Sequence, residues 1–489
     1  MGEDNSGRIV TDSNTAWGVY IHVPFCVSRC AYCDFNTYSG MGRWAGAYFD
    51  AMAAEMGAFF GGGGGGAGVA GVAGDAGAAY ADTVFIGGGT PSSVDAAHIA
   101  RILAYVPRAP GVPMQTQCTS VECTVQTQCT SVECTVSWEC TLEANPGTLS
   151  ADKLKTYAGA GVNRLSLGLQ STHAAHLRML GRIHTFEDFI DSYRASRNAG
   201  FDNINVDLMF GLPGQTADEW ERTLETVVSL GVRHLSCYSL SIEEGTPLYA
   251  AVAKGELPRP DEDLDRDMYH FAVKYLASAG IQQYELSNFA APGRECLHNL
   301  KYWTGMRYRG FGAGAHSFDG RFRYYNASAI PDYIGRISGH IGSAALPSHE
   351  VTGAATISGH EVTGAAAMPS HDVIGAAAMS GNEAVGSAAM SGYEVIDAAE
   401  REKEFIILRL RLSRGFFDEE FRAGFGYSFT EKYAAEIKEL VSSGLMSIGP
   451  GPEPPGPALP GCLRSAGGRR VRLTPLGMDL ANRVFRMFI

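Results

Sequence analysis

The chain has no uninterrupted apolar run of about 18 residues, so no membrane-spanning helix is expected. Basic residues are short: 39 Lys and Arg stand against 52 Asp and Glu, a formal net charge of -13 with a pI near 5.5. That balance excludes a nucleic-acid binder held mainly by phosphate contacts. Residues 1–15 lack the apolar stretch of a signal peptide and, with Arg8 alone, are not an Arg-rich transit peptide. A second C-x2-C pair, which a zinc knuckle needs, is missing as well. The 11 cysteines are an odd number, and the clustered ones look like ligands rather than bridges. Reduced thiols in a cytoplasmic location fit that usage.

What is there centres on Cys26, Cys30 and Cys33, spaced C-x3-C-x2-C directly after the strand-like Tyr20-Ile21-His22-Val23-Pro24-Phe25. Thiolates this close together suit one soft-metal site, and iron–sulfur clusters are held by such runs. Three ligands on a four-iron cubane leave one iron open to an exchangeable group. A disulfide pair with a spare thiol, or a zinc site, are the alternative readings.

Downstream, strands alternate with helices. Strands are predicted at 82–86, 138–142, 164–169, 203–208 and 234–240, and helices at 44–60, 152–160, 186–199 and 217–230. Such βα units imply a barrel or a doubly wound sheet. In βα barrels the active site gathers at the C-terminal ends of the strands. The cysteine loop, Gly87-Gly88-Gly89-Thr90-Pro91, Glu143, Gln170 and Asp207 all fall at or near such ends. The glycine run either lets a ligand reach backbone N–H groups or is a flexible turn.

Three tracts interrupt this rhythm. Residues 61–79 are rich in Gly and Ala and read as a surface linker. Residues 115–136 are a tandem duplication that brings in Cys118, Cys123, Cys129 and Cys134 by copying a strand, with no metal-site spacing. From Ser338 to about Ala399 runs a degenerate 11-residue repeat with His349, His360 and His371 in phase. On a helix these histidines would stand roughly 16 Å apart, too far to share an ion. A surface insertion is expected there.

The stretch Cys296-Leu297-His298-Asn299-Leu300-Lys301-Tyr302-Trp303 offers a histidine beside aromatic faces. It suits an axial ligand to a flat macrocycle such as haem, or equally a packed, hydrogen-bonded core histidine. Towards the C-terminus, helices are predicted at 399–410 and 431–442, strands at 444–448 and 471–473, and a last helix capped by Thr474 with Pro475 in its first turn.

The cysteine triad, Gly87–Pro91, Glu143-Ala144-Asn145-Pro146-Gly147, Gly211–Thr216 and His298-Asn299-x-x-Tyr302-Trp303 together resemble the HemW family. These are radical S-adenosylmethionine (SAM) haem chaperones related to oxygen-independent coproporphyrinogen III oxidase. The resemblance covers about residues 16–336 and 393–489. It implies an α/β fold: a partial (β/α)6 TIM-like radical SAM barrel with a C-terminal α+β winged-helix-like domain. The organisation expected is a polar tail (1–15), the core barrel (16–250), a core extension bearing the His298 motif (251–337), the repeat insertion (338–398) and a C-terminal domain (399–489).

It further implies that Cys26, Cys30 and Cys33 bind a [4Fe-4S] cluster with SAM on the open iron. Tyr20, Gly88, Gly89, Thr90, Glu143, Gln170, Arg182 and Asp207 match SAM-contacting positions, and His298 belongs to the haem-associated motif. The implied partners are haem, a haem-acceptor protein and a flavodoxin- or ferredoxin-type electron donor, with peripheral membrane contact only through the acceptor and no nucleic acid. The oxidase carries a further cysteine two residues after the third cluster cysteine, where this chain has Phe35. That difference favours haem delivery over the alternative, radical decarboxylation of coproporphyrinogen III, and no catalytic residue is assigned.

Overall fold

The structure, a computed structural model, describes residues 16–61, 80–108, 138–341, 390–450 and 468–489. The polar tail, nearly all of the Gly/Ala-rich run, the tandem copies and the three in-phase histidines lie outside the described residues.

Six parallel strands form the centre: β1 (Trp17–Val23), β2 (Ala81–Gly88), β3 (Glu139–Ala144), β4 (Arg164–Gln170), β5 (Asn203–Phe210) and β6 (His234–Ser239). They lie side by side in chain order, each parallel to the one before. A doubly wound sheet needs a reversal of strand order, and none occurs, so the sheet is wound one way as in a barrel. The chain closes the barrel only in part. Beyond β1 the sheet continues through Tyr308–Phe311, His316–Phe318, Phe322–Asn326 and Met390–Val395, and beyond β6 through Asn288–Ala290 and Gln282–Gln283. Met390–Val395 sits inside the tract read as repeat insertion, yet it pairs along Phe322–Asn326.

The helices start and stop where local chemistry says they should. Thr185 and Thr216 form capping boxes with Asp188 and Glu219, opening Phe186–Asn198 and Ala217–Ser229. Gly161, at φ 96°, ends Ala151–Ala160 in the left-handed region. Apolar residues alternate along the parallel strands and pack with the helices in one core; Val19, Ile21, Val84, Ile86, Leu165, Leu167, Val206 and Leu208 are fully covered.

The C-terminal domain has a core of its own, including Ile406, Leu410, Phe416, Phe421, Phe429, Val471 and Val484. Its sheet has three strands, in the order Phe416–Phe417, Arg469–Leu473, Met446–Pro450. The helix predicted over 431–442 is two pieces, Phe429–Lys432 and Ala434–Ser442. Tyr433 interrupts it, with its ring against Phe429 and Phe488 and its hydroxyl on Glu402 at 2.8 Å. Tertiary contacts outweigh helical propensity at that residue. Thr474 caps the last turn by accepting from Gly477 N, with Pro475 at its first position.

Candidate cluster and SAM site

The cysteine loop leaves β1 through Phe25–Cys26, which pairs in parallel with Tyr38–Ser39 and ties both ends of the loop together. Ala31 N donates to Leu180 O, and Leu248 N donates to Ala31 O, each at 2.9 Å. Ala31 and Tyr32 pack against a small apolar cluster of Leu180, Met209, Leu212, Leu240 and Leu248. Those contacts hold the loop over the C-terminal ends of the strands.

Cys26, Cys30 and Cys33 are free thiols, each partly exposed. Thr90 Oγ1 donates to Cys26 Sγ at 3.7 Å, Thr37 Oγ1 lies 3.7 Å from Cys33 Sγ, and Arg182 Nη1 donates to Cys30 Sγ at 3.4 Å. Burial raises the thiol pKa of Cys26 and Cys33, while the threonine hydroxyls oppose that shift. Among the described residues no three His, Cys, Asp or Glu side chains converge on a single metal ion. Three thiols supplied by one short loop are the kind of donor set that iron–sulfur clusters use.

The glycine run follows directly from β2. A Cβ on Gly89 would stand 2.7 Å from Phe25 O and 3.0 Å from Cys26 Sγ; one on Gly88 (φ 111°) would meet the His22 ring at 2.5 Å. Only glycine leaves this cradle beside the thiols unfilled. Gly88 N donates to Glu143 Oε2 at 3.1 Å, from the end of β3. Burial, and secondarily Asp207, push the Glu143 carboxyl up to about 8. Asp207, on β5, is raised by burial against the bonds it accepts from Ser166 Oγ (2.9 Å) and Asn205 Nδ2 (2.8 Å). Arg182 bridges the site: besides Cys30 it donates to Asn145 Oδ1 at 2.6 Å and to Gly168 O at 2.5 Å.

Gln170 ends β4 at a register shift and is the only non-glycine among the described residues with positive φ, 71°. Strain of this kind gathers where the chain presents a side chain to a ligand. Tyr20 OH lies 2.9 Å from His22 Nδ1, and His22 Nε2 lies 2.9 Å from Asn36 O. Burial drives the His22 pKa down to about 4, so that ring is neutral.

Eleven of the residues singled out in the sequence therefore share one end of the barrel: the three cysteines with Tyr20, Gly88, Gly89, Thr90, Glu143, Gln170, Arg182 and Asp207. Sequence reasoning missed Asn145, which also donates to Thr90 Oγ1 at 3.0 Å, and His22 under the glycines. Both stand within motifs already quoted, so proximity was the available signal.

His298 lies elsewhere. It sits on the helix Leu297–Trp303, which packs on the N-terminal ends of the strands: Lys301 Nζ pairs with Asp82 at 2.8 Å, and Leu297 N and His298 N donate to Glu139 at 3.1 and 3.0 Å. His298 bonds Thr83, roughly 16 Å down β2 from Gly88 at the strand's rise per residue. It is wholly buried, with Nδ1 3.0 Å from Thr83 Oγ1, Nε2 3.0 Å from Tyr302 OH, and its ring stacked on Phe85. This is the packed, hydrogen-bonded arrangement. Neither ring nitrogen faces open space as an axial ligand must.

A cysteine triad and a glycine cradle at the C-terminal mouth of a partial βα barrel define a radical SAM protein. Residues 20–227 match the Radical SAM superfamily, and residues 396–450 match the HemN C-terminal domain. The solved structure of coproporphyrinogen III oxidase (HemN) from Escherichia coli superposes with a TM-score of 0.66, covering 97% of this chain and 90% of that one at 18% identity; this is a likeness of fold. Heme chaperone HemW of Bacillus subtilis is 37% identical over 333 residues, 68% of this chain and 79% of the relative. HemW of Lactococcus lactis is 33% identical, covering 64% and 73%. A mouse mitochondrial protein named for its radical SAM domain is 35% identical, covering 63% and 62%. The chain belongs to the HemW family.

Proposed function

We propose that the protein is a haem chaperone that binds a [4Fe-4S] cluster and SAM, takes up haem and passes it to an acceptor protein. The observation that carries this reading is 37% identity to a heme chaperone across 79% of that relative's length. Phe35, partly exposed beside the triad, supports it, because the related oxidase has cysteine there.

In this reading Cys26, Cys30 and Cys33 would hold the cluster, and SAM bound beside it would supply radical chemistry on reduction by a flavodoxin- or ferredoxin-type donor. The chain's own residues do the positioning. Glu143 would give its proton to solvent and meet the cationic amino group of SAM as a carboxylate, and the Gly88–Gly89 backbone would let that group come close. Asp207, fixed by Ser166 and Asn205, offers an acceptor for hydroxyls. Arg182 clamps the Cys30 side of the loop to β4 and Asn145. Among the described residues no helix is long and apolar enough to cross a membrane; a cytoplasmic setting is part of the proposal.

Two measurements on anaerobically reconstituted protein test it. Haemin titration should give saturable binding and transfer to an apo-haem acceptor. Incubation with SAM, a reductant and coproporphyrinogen III should yield no protoporphyrinogen; stoichiometric formation of that product would refute the chaperone reading in favour of the oxidase.

A further inference from the structure

The support of Asp207 runs on through the barrel interior. Asn205 and His234 face each other across β5 and β6, two residues back from Asp207 and its neighbour Ser236. Asn205 Nδ2 donates to Asp207 Oδ1 at 2.8 Å and also reaches Ser166 Oγ at 2.7 Å and Ser236 Oγ at 2.9 Å. The other end of that amide, Asn205 Oδ1, lies 2.6 Å from His234 Nδ1. Across the ring, His234 Nε2 lies 3.0 Å from Tyr284 OH, and that hydroxyl accepts from Cys296 N at 3.3 Å. Asn205 and His234 are buried, whereas Asp207 is partly exposed, so one end of the chain of bonds faces the candidate SAM site.

The chain has one direction, and both ends set it. At one end stands a backbone N–H, which only donates; at the other an ionised carboxylate, which only accepts. Between them the Tyr284 phenol gives its proton to Nε2, and a neutral imidazole then carries its own on Nδ1 and donates to Asn205 Oδ1. Burial and the Arg164 guanidinium hold the His234 pKa well below the usual histidine value, so the ring is neutral. With its carbonyl held by that donor, the Asn205 amide turns its NH2 group towards Asp207. A flipped amide would set its carbonyl oxygen against the carboxylate and its NH2 group against Nδ1–H. The hydroxyls of Ser166 and Ser236 do not choose between the two settings, because a hydroxyl rotates to donate or accept.

Resting on the SAM-binding reading above, we infer that His234 is a positioning residue for the SAM site: its Nδ1–H fixes the Asn205 amide, and Asn205 holds the Asp207 carboxylate ready to accept from SAM hydroxyls. His234 acts through Asn205 alone, and Tyr284 supports it by keeping the proton on Nδ1.

The test uses the full-length, cluster-loaded chain, with SAM affinity measured by anaerobic calorimetric titration at equal cluster content. His234→Phe keeps a ring and removes the donor, whereas His234→Asn returns an amide N–H near the place of Nδ1. His234→Phe should weaken SAM by about three- to tenfold, the worth of one hydrogen bond, and His234→Asn should bind within about twofold of wild type. The cycle with Asp207→Ala separates positioning from general damage: once the carboxylate is gone, adding His234→Phe should cost nothing further. Unchanged affinity in His234→Phe, an equal loss in His234→Asn, or a further loss on adding His234→Phe to Asp207→Ala overturns the inference. If His234→Phe fails to fold, Tyr284→Phe takes its place in the same cycle; it should weaken SAM by a smaller factor, and only while Asp207 is present. Wild-type protein that binds no SAM refutes the SAM-binding reading itself, a different outcome from wild-type binding that the variants leave unchanged.

Discussion

Glu143 is where the candidate SAM site is most sharply tuned. Its carboxyl is desolvated by its surroundings, accepts a backbone bond from Gly88 and lies near a second acid, Asp207, so its pKa rises from 4.5 to about 8. At neutral pH the SAM-free protein therefore carries it mostly protonated. Binding a cationic amino group there requires the proton to leave, so SAM affinity should rise with pH, by up to roughly tenfold per unit below 8, and level off above it. The stability of the SAM-free protein follows the opposite sign. A folded pKa above the unfolded one favours folding fully below pH 4.5 and loses that advantage as pH rises to about 8. At about 1.4 kcal/mol per unit the change across that window is at most about 5 kcal/mol, most of it from desolvation and a lesser part from Asp207. Glu143→Gln copies the protonated shape and keeps an acceptor for Gly88. It should flatten both profiles while weakening SAM by roughly 10- to 100-fold at pH 8, the worth of one charge-assisted bond. Calorimetric SAM titrations and urea unfolding from pH 6 to 8.5, both anaerobic, measure the two effects. Wild-type and variant curves that run parallel in pH would refute the assignment of a buried, proton-linked Glu143.

Other substitutions probe the remaining parts. Gly89→Ala puts a methyl group against Phe25 O and Cys26 Sγ, so iron and sulfide content after reconstitution should fall by more than half although the barrel stays folded by circular dichroism. Gln170→Gly relieves the positive φ and should leave unfolding free energy within about 1 kcal/mol of wild type or above it, yet weaken SAM binding. Arg182→Lys cannot span Cys30, Asn145 and Gly168 at once; a loss of about 1–3 kcal/mol in urea unfolding is expected, with a shift in the cluster's redox midpoint.

The parallel strands were legible because apolar residues alternate along them: runs such as Asn203-Ile204-Asn205-Val206-Asp207-Leu208 stand out between capping signals, and their ends carry the polar residues of the site. The outer strands Tyr308–Phe311, His316–Phe318 and Phe322–Asn326 were not read in advance, since three to five residues are too few to show a period. Met390–Val395 looked like one more repeat unit, and only its partner strand makes it part of the sheet.

By itself, then, the sequence determined the cysteine triad, the glycine run and the succession of βα units, because each depends on residues close together along the chain. Only the tertiary structure decided between a one-way and a doubly wound sheet, a matter of strand neighbours. It alone showed Arg182 clamping Cys30 across 152 residues and Glu139 holding a helix that begins 158 residues later. His298 illustrates the division most plainly. Its motif is legible as a haem signature, but whether an imidazole nitrogen is free depends on Thr83, more than two hundred residues earlier, and packing places that hydroxyl on it.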